Sequence, residues 1–120
     1  MRRIESIEIK VLRSHLEVGD YEPALKLISR TIRKKKFNTL FQFGICSLSL
    51  SYLSLAFTCF AELKKVDPRS YAVTLNLSKV YYLSGDLKKA ISLLETNAQI
   101  INEHSVASNL LMYYEYSYLL

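Results

Sequence analysis

The chain repeats itself. Gly19-Asp20-Tyr21, with Ala24 five residues after the glycine, matches Gly85-Asp86-Leu87 with Ala90 in the same place. The two stretches lie 66 residues apart, two units of about 33. Halfway between them Ser51 stands for the glycine, and Ala56 follows at the same distance. A unit that occurs three times at such a period cannot bury its apolar face alone. It must stack on its neighbours, as the units of a repeat solenoid do.

Composition favours a few long helices. The 120 residues hold three glycines and two prolines, too few for the many tight turns of a sandwich or barrel. Half the residues are apolar, which argues against disorder. Each repeat start is preceded by about 14 residues with helical spacing. Before Gly85 these are Leu75, Leu77, Val80, Tyr81 and Leu83; before Ser51, Leu40, Phe43, Ser47 and Leu50; before Gly19, Ile4, Ile7, Val11 and Val18. Glycine can end the first helix in a left-handed conformation, and the aspartate after it can cap the second. Pro23 is tolerated in a first turn, whereas Asp67-Pro68 breaks the second helix of the middle unit. The expected fold is all-α: a right-handed α-α superhelix of three helix-turn-helix units over residues 5–36, 37–70 and 71–104. A seventh helix is expected over residues 105–120, and the whole is expected to form one domain.

The formal charge of +5 is local. Arg30, Arg33, Lys34, Lys35 and Lys36 place five cations within seven residues, and the rest of the chain is neutral. Such a run suits the C-terminal end of a helix, where it complements the macrodipole. No aromatics are interleaved with it and no nucleic-acid motif surrounds it, so a nucleic-acid partner is not expected. Membrane contact is expected to be at most peripheral, through residues 30–36. A second segment, residues 37–61, carries no charge and has a mean hydropathy of roughly 1.6 over residues 43–61, near the range of a membrane span. Ser47, Ser49, Ser51 and Ser54 interrupt it, and Ser51 falls where the repeat needs a turn, so a buried helical hairpin is the expectation. Cys46 and Cys59 lie in apolar segments without ligand spacing and read as buried free thiols. The start of the chain has no apolar h-region, which with the free thiols suggests a cytoplasmic protein.

The residues at these spacings resemble the tetratricopeptide repeat family. Gly44 takes the small position of a first helix, and Ala56 and Phe60 the alanine and aromatic of a second, with Pro68 in the closing pair. In the third unit Ser78, Tyr81, Gly85, Ala90 and Leu94 fill the corresponding places. The first unit departs most, with Leu12 at the small position, His15 at the tyrosine position and Glu8 for an aromatic. The resemblance implies a solenoid whose first helices line a groove for partner peptides. Groove positions would be Ser6, Ile9, Lys10 and Arg13, then Asn38, Phe41, Gln42 and Ile45, then Ala72, Leu75, Asn76 and Lys79. Phe41, Gln42, Asn76 and Lys79 are the candidate contacts. The carboxylate clamp of chaperone-tail binders is broken, because Ile9 and Ala72 stand where lysines are needed and Arg13 replaces an asparagine.

Residues 110–120 are nearly all apolar or aromatic, and a terminal repeat normally needs a polar outer face. Tyr113, Tyr116 and Leu119 therefore form a candidate assembly surface, packed on a further repeat or a partner. Val66-Asp67-Pro68-Arg69, Ser84-Gly85-Asp86-Leu87-Lys88, Glu103-His104-Ser105-Val106, Asn109-Leu110 and Tyr113-Tyr114-Glu115 resemble the C-terminal repeats of the TRAPP complex subunit 12 family. Glu103-His104 is in swapped order, and Ile100-Ile101-Asn102 replaces the closing Asp-Pro of the third unit. That resemblance implies a non-catalytic subunit of a vesicle-tethering complex between endoplasmic reticulum and Golgi. A peptide-binding adaptor of another assembly is the alternative. No catalytic, cofactor-binding or metal-ligating motif is apparent: His15 and His104 stand far apart, outside any triad pattern, and His15 reads as a packed core residue.

Overall fold

A computed structural model describes residues 6–101, with side chains described through Asn97. The fold over these residues is all-α. Six helices follow one another: α1 (Ile7–Glu17), α2 (Tyr21–Arg33), α3 (Phe37–Ser49), α4 (Leu53–Val66), α5 (Tyr71–Leu83) and α6 (Leu87–Ile101). Helix α1 packs on α2 and α3, α2 packs on α3, and α5 packs on α6. This packing of consecutive helices is that of a helical repeat. The chain divides into two compact units, the first ending at Leu63 and the second beginning at Lys64, inside α4.

The turns follow one design. Gly19 has φ +81° and Gly85 φ +93°, both left-handed. At Gly19, the Asp20 N–H donates to His15 O (2.8 Å) and the Gly19 N–H to Leu16 O (3.2 Å). At Gly85, the Asp86 N–H donates to Tyr81 O (2.9 Å) and the Gly85 N–H to Tyr82 O (3.0 Å). These pairs satisfy carbonyls left open at a helix end. Ser51 adopts the same conformation at φ +66°, with Tyr52 N–H donating to Ser47 O (2.8 Å), so the uncharged segment is broken there into a hairpin. Among the described residues no helix is long and apolar enough to cross a membrane. A fourth such turn, at Lys35 with φ +56°, falls at the expected boundary between the first two units. It joins α2 to α3 without glycine, so its left-handed conformation had no signal in the residue type.

Capping differs between the glycine turns. Asp86 Oδ1 accepts from the Lys89 N–H (3.1 Å) and caps α6. Asp20, expected to do the same, makes no side-chain cap hydrogen bond; its backbone, at φ −81° and ψ 83°, departs from the extended conformation that aims a cap. Ser6 and Ser70 cap α1 and α5, each accepting a backbone N–H three residues on at 3.3 Å.

The core of the first unit holds Leu12, Leu16, Ala24, Ile28, Leu40, Phe43, Ala56, Cys59 and Phe60. Here one expectation fails. Ile7, Val11 and Val18 were read as the apolar face of α1, yet Ile7 is 79% and Val18 74% exposed. The buried stripe is Ile9, Leu12 and Leu16 instead. Both stripes have helical spacing, and contact with α2 and α3 selects one. His15, read as a core residue, is only half-buried because it lies beside that stripe. In the second unit Leu94 is buried against the half-buried Tyr71, Leu75 and Tyr82. Leu83, placed on the apolar face of α5, is exposed at the helix end.

Candidate protein-binding groove

Helices α1 and α3 approach side by side in the first unit and leave an open groove of about 710 Å³. From α1 it is lined by Ser6, Ile9 and Arg13; from α3 by Asn38, Thr39, Phe41, Gln42, Ile45, Cys46 and Ser49. Residues three and four apart share a helix face, and the α3 lining residues Asn38, Phe41, Gln42, Ile45 and Ser49 follow that spacing. Phe41 and Gln42 are thus brought together, with five other positions named from the sequence. Lys10 does not line the groove, whereas Thr39, Cys46 and Ser49 do. Cys46 and Ser49 follow Gln42 and Ile45 by four residues, a spacing that would have found them.

The groove has an apolar floor and polar shoulders. Ile9 is buried, Phe41 half-buried, and Ile45 is 39% exposed. Asn38 and Gln42 present exposed amides, each able to donate and accept. Ser6 and Ser49 are already engaged, Ser6 as the α1 cap and Ser49 through its hydroxyl to Cys46 O (2.8 Å). Such a surface can take apolar side chains of a peptide while the amides meet its backbone.

The groove wall is stiffened from below. Phe41 stands edge-on to Phe60, with ring centroids 5.7 Å apart and planes at 75°. Phe60 lies directly over Gly44: a Cβ at that position would sit 2.7 Å from its Cζ. Gly44, Ala56 and Phe60 are all buried, and together let α3 and α4 approach closely. Behind the groove, Tyr52 Oη donates to Leu16 O (2.7 Å), tying the α3–α4 turn to the end of α1. Cys59 is fully buried, and desolvation pushes its thiol up to about 12.

Asn76 and Lys79 belong to α5 in the second unit. Both are half-buried, and Asn76 Nδ2 donates to Ala72 O of its own helix (2.8 Å). Tyr81 lies under the Lys89 ammonium, 5.4 Å from Nζ to the ring centre. Ala90 and Leu94 are buried in α6, and Pro68 follows the end of α4, its carbonyl accepting from Lys64 Nζ (2.6 Å). The Lys64 ammonium also donates to Thr74 Oγ1 (2.7 Å), which accepts from Asn97 Nδ2 as well (3.2 Å). Burial lowers the Lys64 pKa, and the Asp67 carboxylate opposes that. Tyr113, Tyr116, Leu119 and the expected seventh helix lie outside the described residues.

Among the described residues no group of His, Cys, Asp and Glu could hold a metal ion. Comparison with protein-family models, curated proteins and solved structures finds no match to this chain.

Proposed function

We propose that the chain is a non-catalytic protein-interaction scaffold that holds a segment of a partner protein between α1 and α3. The observation that carries this reading is the groove itself: an apolar floor of Ile9, Phe41 and Ile45 between the exposed amides of Asn38 and Gln42. Within that reading, the assembly is a TRAPP-like vesicle-tethering complex of endoplasmic reticulum to Golgi traffic, with the protein cytoplasmic and peripheral to those membranes. Support for this finer part is the resemblance over residues 53–118.

Affinity purification with the wild type and with an Asn38→Arg/Gln42→Arg variant tests both levels. Both positions are exposed, so the variant should keep its helical circular dichroism. The expected result is a discrete set of partners lost together from the variant. Identical partners on both proteins would refute the groove. A set that depends on the groove but contains no tethering subunits would refute the TRAPP-like reading and leave an adaptor of another assembly.

A further inference from the structure

We infer that the turn between α2 and α3 is a docking surface for a bilayer rich in anionic phospholipid. Arg30, Arg33, Lys34, Lys35 and Lys36 are all exposed. They are gathered where α2 ends, and Arg30 to Lys34 spans about 6 Å of helix axis. That is less than a Debye length at physiological salt, so their attractions to an anionic surface act together.

The turn is built, not loose. Lys34 N–H donates to Arg30 O (3.0 Å), Lys35 N–H to Ile32 O (3.0 Å) and Lys36 N–H to Thr31 O (3.3 Å). Lys35 holds φ +56° there, the conformation that Gly19 and Gly85 take at the corresponding turns. Glycine would adopt it without steric cost. What lysine contributes at this position is therefore charge rather than conformation.

An apolar element stands beside the cations. Lys36 Nζ meets Glu8 Oε2 at 3.4 Å, which brings the first turn of α1 against the basic turn. Ile7, next to Glu8, is 79% exposed, and Val11, one turn on, 42%. Cations flanked by protruding aliphatic side chains match the boundary between headgroups and acyl chains. The run itself contains no aromatic side chain on which nucleic-acid bases could stack. An acidic polypeptide would use the charges and leave the aliphatic residues in water. The bilayer uses both.

Co-sedimentation of the full chain with phosphatidylcholine vesicles, with and without roughly a third phosphatidylserine, tests this. Binding should require phosphatidylserine and weaken as salt rises from about 0.05 to 0.5 M. A Lys34→Gln/Lys35→Gly variant should bind about 25-fold more weakly, fivefold per charge. Glycine suits the left-handed position, so the variant keeps the turn. Ile7→Asn should weaken vesicle binding and leave binding to polyglutamate unchanged. Equal binding to both vesicles, wild-type binding by the double variant, or tighter binding to polyglutamate or an RNA oligonucleotide than to vesicles would overturn the inference.

Discussion

Replacing Gly44 by alanine probes how the groove wall is built. The new Cβ would meet three Phe60 ring carbons at 2.7, 2.9 and 3.0 Å. Ordinary carbon contacts need about 3.5–4.0 Å, so the ring or the helices must move by most of an ångström. The ring cannot simply yield, because Phe60 is fully buried and abuts Phe41. Overpacking of this kind costs about 1–3 kcal/mol. Alanine recovers about 1 kcal/mol of helix propensity over glycine. A net loss of up to about 2 kcal/mol is expected, read as a lower urea midpoint by far-ultraviolet circular dichroism. Phe60→Leu shortens the ring, so in a double-mutant cycle the second change should be milder by about 1 kcal/mol than in the wild type. A Gly44→Ala protein more stable than the wild type, or a cycle without coupling, would refute the reasoning.

Other expectations rest on separate contacts. Ser51→Gly should raise stability by up to about 1 kcal/mol by relieving a left-handed serine, whereas Gly19→Ala, which meets no atom within 4 Å, should lose about 1 kcal/mol through backbone strain alone; urea melts of the two variants check both signs. Tyr52→Phe removes the donor to Leu16 O and should cost about 1 kcal/mol, seen as faster hydrogen exchange around the α3–α4 turn. Cys59 should resist thiol reagents in the native state and react once unfolded. Its folded pKa, about 12, lies above the unfolded value, so the stability it contributes is full below pH 9 and is lost as pH rises from there toward 12. Cys59→Ala should flatten the pH dependence in that window, measured by urea midpoints at increasing pH.

The punctuation of this chain is written in its residue types. Glycine tolerates the left-handed conformation that ends a helix, so Gly19 and Gly85 announce two turns. The repeat period then places the third at Ser51, a residue that alone would say little. The same period exposed the uncharged stretch of residues 37–61 as two helices, and the tetratricopeptide resemblance pointed to Gly44, Ala56 and Phe60 as the close-packed set. Most groove positions were legible through that resemblance, which says which helices line a groove; spacing of three and four keeps them on one helix face.

Tertiary packing decided what residue types leave degenerate. Helix α1 has two apolar stripes of equal period, and only its contact with α2 and α3 buries Ile9, Leu12 and Leu16 while Ile7 and Val18 stay in water. Lys35 is left-handed because the chain must reverse there, a demand made by where α3 packs and not by lysine. Asp20 and Asp86 share a local sequence context, yet only Asp86 caps, because the backbone at each is set by the helices it joins. Local chemistry determines where this chain can turn and which faces it can bury; the neighbouring helix decides which of those faces is used.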